Sequence, residues 1–288
     1  MNNNIFYIQN KPEQQQLIVT QHYIYKSAKL LASFLLVISV LIPLIISILI
    51  AWIKNEIIFT LISFISIGLT ILCEFIRNLI SDRKMIAAKI QQKFDISVFE
   101  LDNGFIFDDE NIDIAVDKYK NKDWIRKKNW YPDYKKLEKC KAIFYCQKEN
   151  IDWNNNLSKK YIIFLTVFSI ILFIVIMMNF IISDNSISQI IAISITALPM
   201  ITYCYSGFAK IRNDNKTLIL IKNYSDKIET LISDNNTVDI KMLENLQWMI
   251  FFYRASKYLI PDWFDKIFYK KIENYELKKA SKRRRQHR

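Results

Sequence analysis

One short segment of this chain combines aromatic and basic side chains more densely than its surroundings. It reads Trp124–Ile125–Arg126–Lys127–Lys128–Asn129–Trp130–Tyr131. Aromatic faces stack on nucleic-acid bases, and arginine or lysine neutralises phosphates. The same residue types are typical of a membrane surface, because tryptophan and tyrosine favour the interface and lysine favours anionic lipid. The segment therefore indicates either a site for a nucleotide-like anion or a membrane-surface patch, and its chemistry favours the two equally.

A second set of regularly spaced residues carries hydroxyl groups. The set is Thr60, Ser63, Ser66 and Thr70. Steps of three and four residues place these side chains along one face of a helix. In a membrane, such a face lines a polar pathway or hydrogen-bonds a neighbouring helix. We favour packing, because mostly aliphatic helices enclose little polar surface and a pore would need several copies of the chain.

Residue types that serve catalysis or cofactor binding are scarce. Three glycines are too few for a glycine-rich phosphate loop, and the two histidines, His22 and His287, lie at opposite ends of the chain. The four cysteines lack C-x-x-C spacing, so we expect buried or idle thiols. One acidic cluster does not have the residue spacing of a calcium-binding loop; it consists of Asp108, Asp109, Glu110 and Asp113. We therefore expect no catalytic residue, no metal, no cofactor and no enzymatic activity.

Four long apolar runs must position these residues. They are Lys29–Ile53, Ile57–Ile76, Tyr161–Ser183 and Ile187–Ala209. About 20 apolar residues cross the roughly 30 Å hydrocarbon layer as a helix. The sequence therefore predicts an all-α membrane protein with four transmembrane helices, arranged as two hairpins and attached to mostly helical polar regions.

The basic residues predict the orientation of these spans. The two short turns hold only Lys54, Glu56 and Asp184 as charged residues. The opposite ends of the spans are flanked by Arg77, Arg83, Lys84, Lys159, Lys160, Lys210 and Arg212. Lysine and arginine in short flanking segments stay on the cytoplasmic side. We therefore expect both termini and the middle region to be cytoplasmic, in a multi-pass membrane protein.

These patterns divide the chain into an arm, two hairpins, two polar regions and a tail. The predicted bounds are 1–28 for the arm, 29–76 and 161–209 for the hairpins, 77–160 and 210–280 for the polar regions, and 281–288 for the basic, lipid-attracted tail. Apolar residues recur at helical spacing at Leu79, Ile86, Ile90 and Phe94; at Ile221, Tyr224, Ile228 and Leu231; and at Leu243, Leu246, Ile250 and Tyr253. The first set predicts that the second span continues as a helix to about Asp95. Residues 98–117 are acidic and contain Asn-Gly, so we predict a loop or short strand there.

Several short strings are similar to those of a known family. They are Ile8–Gln9–Asn10; Gln21, Tyr25 and Ala28–Lys29; Trp130–Tyr131–Pro132; Cys146–Gln147–Lys148–Glu149–Asn150 with Trp153 and Leu157; Leu246–Gln247; Arg254; and Pro261–Asp262–Trp263–Phe264. With the two-plus-two arrangement of spans, they resemble the S-4TM family of bacterial four-span pore-forming effectors over nearly the whole chain. The resemblance implies a role in antiphage defence, beside nucleotidyltransferases that make cyclic oligonucleotides or beside nucleotide-sensing domains. It also implies breach of the inner membrane and growth arrest without catalysis.

The leading hypothesis is a membrane effector that a signal switches on. In this hypothesis, binding of a cyclic oligonucleotide, or of a partner that has bound one, favours a homo-oligomer whose spans open a path for ions. We expect no DNA or RNA polymer as a partner. The candidate ligand-binding residues are Trp124, Arg126, Lys128, Trp130, Tyr131, Arg254 and Trp263. The main alternative is a non-conducting membrane scaffold that docks a soluble partner. A small transporter is less favoured, because the spans offer only prolines and hydroxyls where transporters use ionisable residues.

Overall fold

The computed structural model describes residues 4–102, 104, 109–182, 186–234, 237–268, 274 and 278, leaving aside the side chains of residues 109, 126, 153–155 and 182. Its helices are α1 (Ile5–Ile8), α2 (Pro12–Leu36), α3 (Ile42–Ile50), α4 (Glu56–Phe99), α5 (Asp109–Lys118), α6 (Lys139–Ile182), α7 (Ile187–Ser233) and α8 (Ile240–Ser256). Residues 262–268 are also helical and are called α9. Over these residues the secondary structure is helical without a strand, which confirms the predicted fold class.

Four of the helical stretches are long and apolar enough to cross a membrane. They are Pro12–Ile50, which joins α2 and α3, and the helices α4, α6 and α7. Helix α4 alone has 44 residues, about 66 Å at 1.5 Å per residue, which is more than twice the thickness of the hydrocarbon layer. The helices are therefore long enough to cross a membrane and to continue beyond it. The predicted continuation of the second span to Asp95 is confirmed, and α4 in fact ends at Phe99.

The segments outside the spans pack together into one helical unit, which we call the extramembrane bundle. Its core takes Ile18 from the N-terminal arm, Phe94 from α4, Phe144 from α6, Ile228 from α7 and Leu246 from α8, all fully buried. The arm, the middle region and the C-terminal region share this core, so all three lie at the same end of the spans. That this end faces the cytoplasm stays a prediction.

The prediction of a loop or short strand over residues 98–117 is wrong at its two ends, residues 98–99 and 109–117, which are helical. Residues 100–102 and 104 lie outside the helices, as a loop requires, and residues 103 and 105–108 lie outside the described part. Helix α4 runs to Phe99, and α5 covers Asp109–Lys118. Ile112 is buried in the core of the bundle, and Ala115 and Val116 pack against it. This short helix is stabilised by its apolar face, which the acidic composition conceals. Gly104 in the Asn-Gly step has a φ of 59°, a left-handed conformation that glycine adopts without strain.

Two prolines, Pro43 and Pro199, lie within continuous helical stretches. A π-helical segment, Val37–Leu41, joins α2 to α3 directly before Pro43. Proline has no N–H and its ring clashes with the carbonyl four residues earlier, so a widened turn accommodates it. Pro199 lies inside α7. Both prolines are therefore accommodated without a break in the helical stretches that contain them.

Candidate functional site

A buried carboxylate lies at the centre of the extramembrane bundle. Asp95, near the end of α4, is fully buried. The Tyr131 hydroxyl donates a hydrogen bond of 2.5 Å to Oδ1 of Asp95, and Nε2 of Gln247 donates one of 3.0 Å to Oδ2. The Arg254 guanidinium forms an ion pair with the same Oδ2. A buried charge is tolerated only when it is paired and hydrogen-bonded, and these three groups meet that requirement.

The pKa values of the two ligand-binding candidates in this network follow from their burial. Burial, the largest single influence, lowers the pKa of Arg254, but the Asp95 carboxylate together with Tyr131 and Tyr25 outweighs it and raises the pKa above the usual value. Burial, and then the same carboxylate, raise the pKa of Tyr131 well above its ordinary value. Arg254 therefore stays charged and Tyr131 stays a neutral hydrogen-bond donor, so that Asp95 keeps both partners at physiological pH.

Glutamine side chains extend this network across the bundle. Nε2 of Gln247 also donates to Oε1 of Gln92 (2.8 Å), and Nε2 of Gln147 donates to Oε1 of Gln247 (3.0 Å). Gln9 in the N-terminal arm binds both backbone groups of Tyr131, accepting from its N–H at 2.8 Å and donating to its carbonyl at 3.1 Å. The network thus joins the arm, α4, the segment before α6, α6 itself and α8. Buried networks of this kind hold one arrangement, because each broken bond leaves a costly unpaired group.

The end of α8 is fastened to two helices that cross the membrane. Nζ of Lys84 in α4 donates to the carbonyls of Ser256 (3.1 Å) and Lys257 (2.8 Å). Asp214 in α7 accepts a hydrogen bond from the backbone N–H of Tyr258 and lies 3.3 Å from Nζ of Lys210. The orphan carbonyls at a helix C-terminus favour a cation, which explains why Lys84 is tolerated there although it is buried. A displacement of α8 is therefore passed to α4 and α7.

The Lys84 contact should make stability depend on pH. Burial, with a contribution from Lys210, lowers the pKa of Lys84 to about 8. Between pH 8 and the ordinary lysine pKa, the unfolded chain binds more protons than the folded one, so this group makes folding more favourable as pH rises. Between pH 7.5 and 9.5, we expect the free energy of unfolding of wild type to rise by on the order of 1 kcal/mol relative to that of a Lys84→Met variant. Thermal unfolding in detergent at the two pH values measures the difference.

The matched control for this measurement is Lys136→Met, since Lys136 is an exposed lysine of the same bundle. That variant should follow wild type at both pH values. A constant difference between wild type and Lys84→Met across the range would contradict the explanation.

The predicted ligand-binding residues fall into three places. Trp124 stacks on His22 with ring centroids 4.0 Å apart, and Trp130 lies 6.0 Å from Trp124. Lys128 is exposed in the same segment, and the side chain of Arg126 lies outside the described part. Tyr131 and Arg254 meet inside the bundle, where both contact Asp95. Trp263 lies elsewhere, on α9.

An open groove lies beside the aromatic and basic segment. It has a volume of about 510 Å³ and is lined by Phe6, Tyr7, Asn10, Lys11, Pro12 and Lys135. Asn10 exchanges two hydrogen bonds with Asn129, which connects the groove to the neighbouring Lys128. Nζ of Lys135 lies 4.0 Å from the Phe6 ring and 3.6 Å from the exposed Asp133, while the Tyr7 ring is 72% exposed. Two lysines and an accessible aromatic ring suit an anion that has a flat aromatic part.

The hydroxyl stripe of the second span bonds its own helix. Each of its hydroxyl groups donates a hydrogen bond to the backbone carbonyl four residues earlier in the chain. The donors are Thr60, Ser63, Ser66 and Thr70. Ser66 is also buried, with its Oγ 3.3 Å from Oγ1 of Thr196 in α7. Thr60, in contrast, is exposed. At Ser66 the stripe therefore makes a contact between helices, as the packing interpretation requires.

The hydrogen bonds that amide side chains form within the spans were not predicted from the sequence. Nδ2 of Asn179 in α6 donates to Oγ of Ser47 in α3 at 3.0 Å, and both residues are buried. Nε2 of Gln189 donates to the carbonyl of Ile50 at 3.0 Å. The signal was an asparagine and a glutamine inside otherwise apolar runs. These bonds join the two hairpins near their turns, where a polar contact in lipid is worth about 1 kcal/mol.

The Ser66 contact makes a testable prediction. A Ser66→Leu variant should be destabilised by about 1–3 kcal/mol, because the larger side chain overfills the contact with Thr196. Thr60→Leu makes the same kind of change at an exposed position and should leave stability nearly unchanged. Thermal unfolding of the purified proteins in one detergent compares them. If Thr60→Leu abolishes ion leakage while Ser66→Leu preserves both leakage and stability, the stripe lines a pathway instead.

Comparison with known proteins agrees with this architecture. The chain matches the family described as the SMODS-associating 4TM effector domain over residues 3–282. No curated protein and no solved structure matches it. The matched residues include the spans, the Asp95 network and the groove, and the described family is one of membrane-associated effectors of nucleotide-signalling systems. The chain belongs to the family of SMODS-associating four-transmembrane effector domains.

Proposed function

We propose that this protein is a membrane effector whose extramembrane bundle receives a soluble signal and whose spans respond by opening an ion path in an oligomer. The resulting loss of membrane potential in the bacterial inner membrane stops growth. No catalytic step is part of this proposal. The observation that carries it is the path of hydrogen bonds and adjacent backbone residues that leads from the groove to the membrane-crossing helices.

The connection runs through few steps. Asn10 lines the groove, and its neighbour Gln9 holds Tyr131 by two backbone hydrogen bonds. Tyr131 bonds Asp95, which pairs with Arg254 two residues before the end of α8. Lys84 then fastens that end to α4. A ligand that moves the arm relative to Tyr131 therefore acts on a rigid path that ends at the spans.

The groove is the best place for the signal to bind. Lys11 precedes Lys29 by 18 residues along the continuous helix α2, which corresponds to about 27 Å at 1.5 Å per residue. Headgroups of the membrane that begins near Lys29 are too distant, so the anion that Lys11 and Lys135 attract is a soluble one. A cyclic oligonucleotide has the required phosphates and flat bases, and the adjoining Lys128, Trp124 and Trp130 enlarge the surface available to it.

Oligomer formation is supported by the lipid-facing sides of the spans. A smaller fraction of the apolar segment is buried in helices α4 and α6 than in the other two spanning stretches. Large side chains such as Phe64 (69% exposed) and Phe173 (61% exposed) point away from the protein. These faces contact lipid in a monomer and are available to another copy, so a change in α4 alters the surface on which copies meet.

Leakage of ions and dye from liposomes that contain the purified protein tests this function. The measurement is made with and without a panel of cyclic di- and trinucleotides. Leakage with one nucleotide alone supports a gated path and names its signal. Leakage without any nucleotide indicates a path that a partner restrains in cells. No leakage under any condition, with correct insertion shown by protease protection, favours the alternative of a non-conducting scaffold that docks a soluble partner.

A further inference from the structure

Helix α9 has two apolar faces of different character. Phe264 is 3% exposed, and Phe268, four residues later, also packs inward. Trp263 and Ile267 are likewise four residues apart, and they are 40% and 65% exposed. Residues at this spacing share one side of a helix. The helix therefore packs one apolar side against the protein and leaves a second one uncovered.

The inward side lies at the start of the third span. The Phe264 ring makes an edge contact with Tyr161 at 4.9 Å between centroids and lies 5.5 Å from Phe164. The Trp263 ring contacts the edge of Phe164 at 5.4 Å. Tyr161 and Phe164 are within the first turn of the apolar run that crosses the membrane. Helix α9 is therefore level with the boundary between water and lipid.

Charged contacts fix the helix at the same level of the first span. Nζ of Lys29, where that span begins, lies 2.7 Å from Oδ1 of Asp262 and 3.6 Å from Oδ2 of Asp265. Nζ of Lys160 lies 4.2 Å from the Phe268 ring. Lys266 is exposed next to Ile267. Lysines at this depth contact anionic headgroups while the aromatic rings of the same segment reach the apolar layer.

We propose that α9 is an interfacial helix whose uncovered side, Trp263 and Ile267, inserts into the headgroup region of the bilayer that the spans cross. The occupant of this surface is lipid, because Trp263 contacts Phe164 at the start of the third span, where the neighbouring Ile163 is 65% exposed. Tryptophan is also the residue that favours this boundary most clearly. The inference is independent of ion conduction, and it makes Trp263 a lipid contact instead of a nucleotide contact.

The position of α9 ties the bundle to the bilayer. Only residues 257–261 separate α8 from α9, and the ion pairs with Lys29 hold α9 across the ends of the first and third spans. Insertion of Trp263 and Ile267 therefore fixes the depth at which α8 meets the membrane helices.

Quenching by brominated lipids tests the proposal in proteoliposomes of the full chain. The emission of Trp263 is the difference between wild type and a Trp263→Phe variant, and lipids brominated near the headgroups should reduce it at least twofold. A Trp124→Phe variant removes an emitter of the extramembrane bundle and should leave the lipid-quenched emission unchanged. Quenching of the Trp263 emission by aqueous iodide alone would overturn the proposal, as would resistance to both quenchers.

A second variant keeps the test decisive if Trp263→Phe fails to fold. Ile267→Trp adds an emitter on the same side of α9, and the added emission should be quenched by the brominated lipids as strongly as that of Trp263. Added emission that responds only to iodide would place this side in water and contradict the insertion.

Discussion

An Arg254→Met variant should lose about 3–5 kcal/mol of folding free energy. The substitution removes the charge that neutralises Asp95, and the carboxylate is then left fully buried with only neutral donors. The methionine fills part of the space, so the loss arises from the unpaired charge more than from a cavity. Thermal unfolding of the purified protein in detergent should show a midpoint lower by roughly 10 °C.

The control for this variant is Lys139→Met. Lys139 forms a partly exposed ion pair with Glu100 at 2.5 Å, with 18% of the Lys139 side chain and 49% of the Glu100 side chain exposed. Exposed pairs contribute about 0–1 kcal/mol, so the control should unfold close to wild type. A double variant, Asp95→Leu with Arg254→Met, removes both charges and should recover part of the loss. Equal losses for Arg254→Met and Lys139→Met would contradict the role given to the buried pair.

The sequence predicts the membrane part of this fold well, for a physical reason. A span needs only an uninterrupted apolar run, and that property is local. The continuation of α4 is similarly predictable, because Ile90 and Phe94 repeat at helical spacing and both are fully buried. The short helix α5 was missed because its buried contacts, such as Ile112 against the core, belong to the tertiary structure.

The candidate site was only partly predictable from the sequence. Asp95 and Arg254 are separated by 159 residues. Neither the composition of the chain nor the spacing of its residues indicates that these two side chains form a pair. Gln9, Gln147 and Gln247 belong to strings that carry the family resemblance, yet a string alone assigns no role. Their convergence on Tyr131 and Asp95 appears only once α4, α6 and α8 are packed together.

Reversal of two charges in the groove should have the largest effect on the proposed function. In a Lys11→Glu plus Lys135→Glu variant, two cations that face the groove become anions, so phosphates are repelled where they were attracted. A hydrogen bond to a charged group contributes about 1.5–3 kcal/mol, and each 1.4 kcal/mol is about tenfold in affinity. We expect the affinity for the activating nucleotide to fall by roughly 100-fold, measured by titration of the purified protein.

Two further variants make this result specific to the groove. Lys222→Glu plus Lys227→Glu produces the same change in net charge at exposed positions of α7, outside the groove lining and outside residues 124–131. It should therefore retain the affinity, because solvent and salt screen charges that do not contact the ligand. Arg126→Glu plus Lys128→Glu tests the adjoining segment. If only this last variant loses binding, the nucleotide contacts residues 124–131 and not the groove. If the groove variant and its control lose affinity equally, the attraction is a general effect of the positive net charge, and the groove has no specific part in receiving the signal.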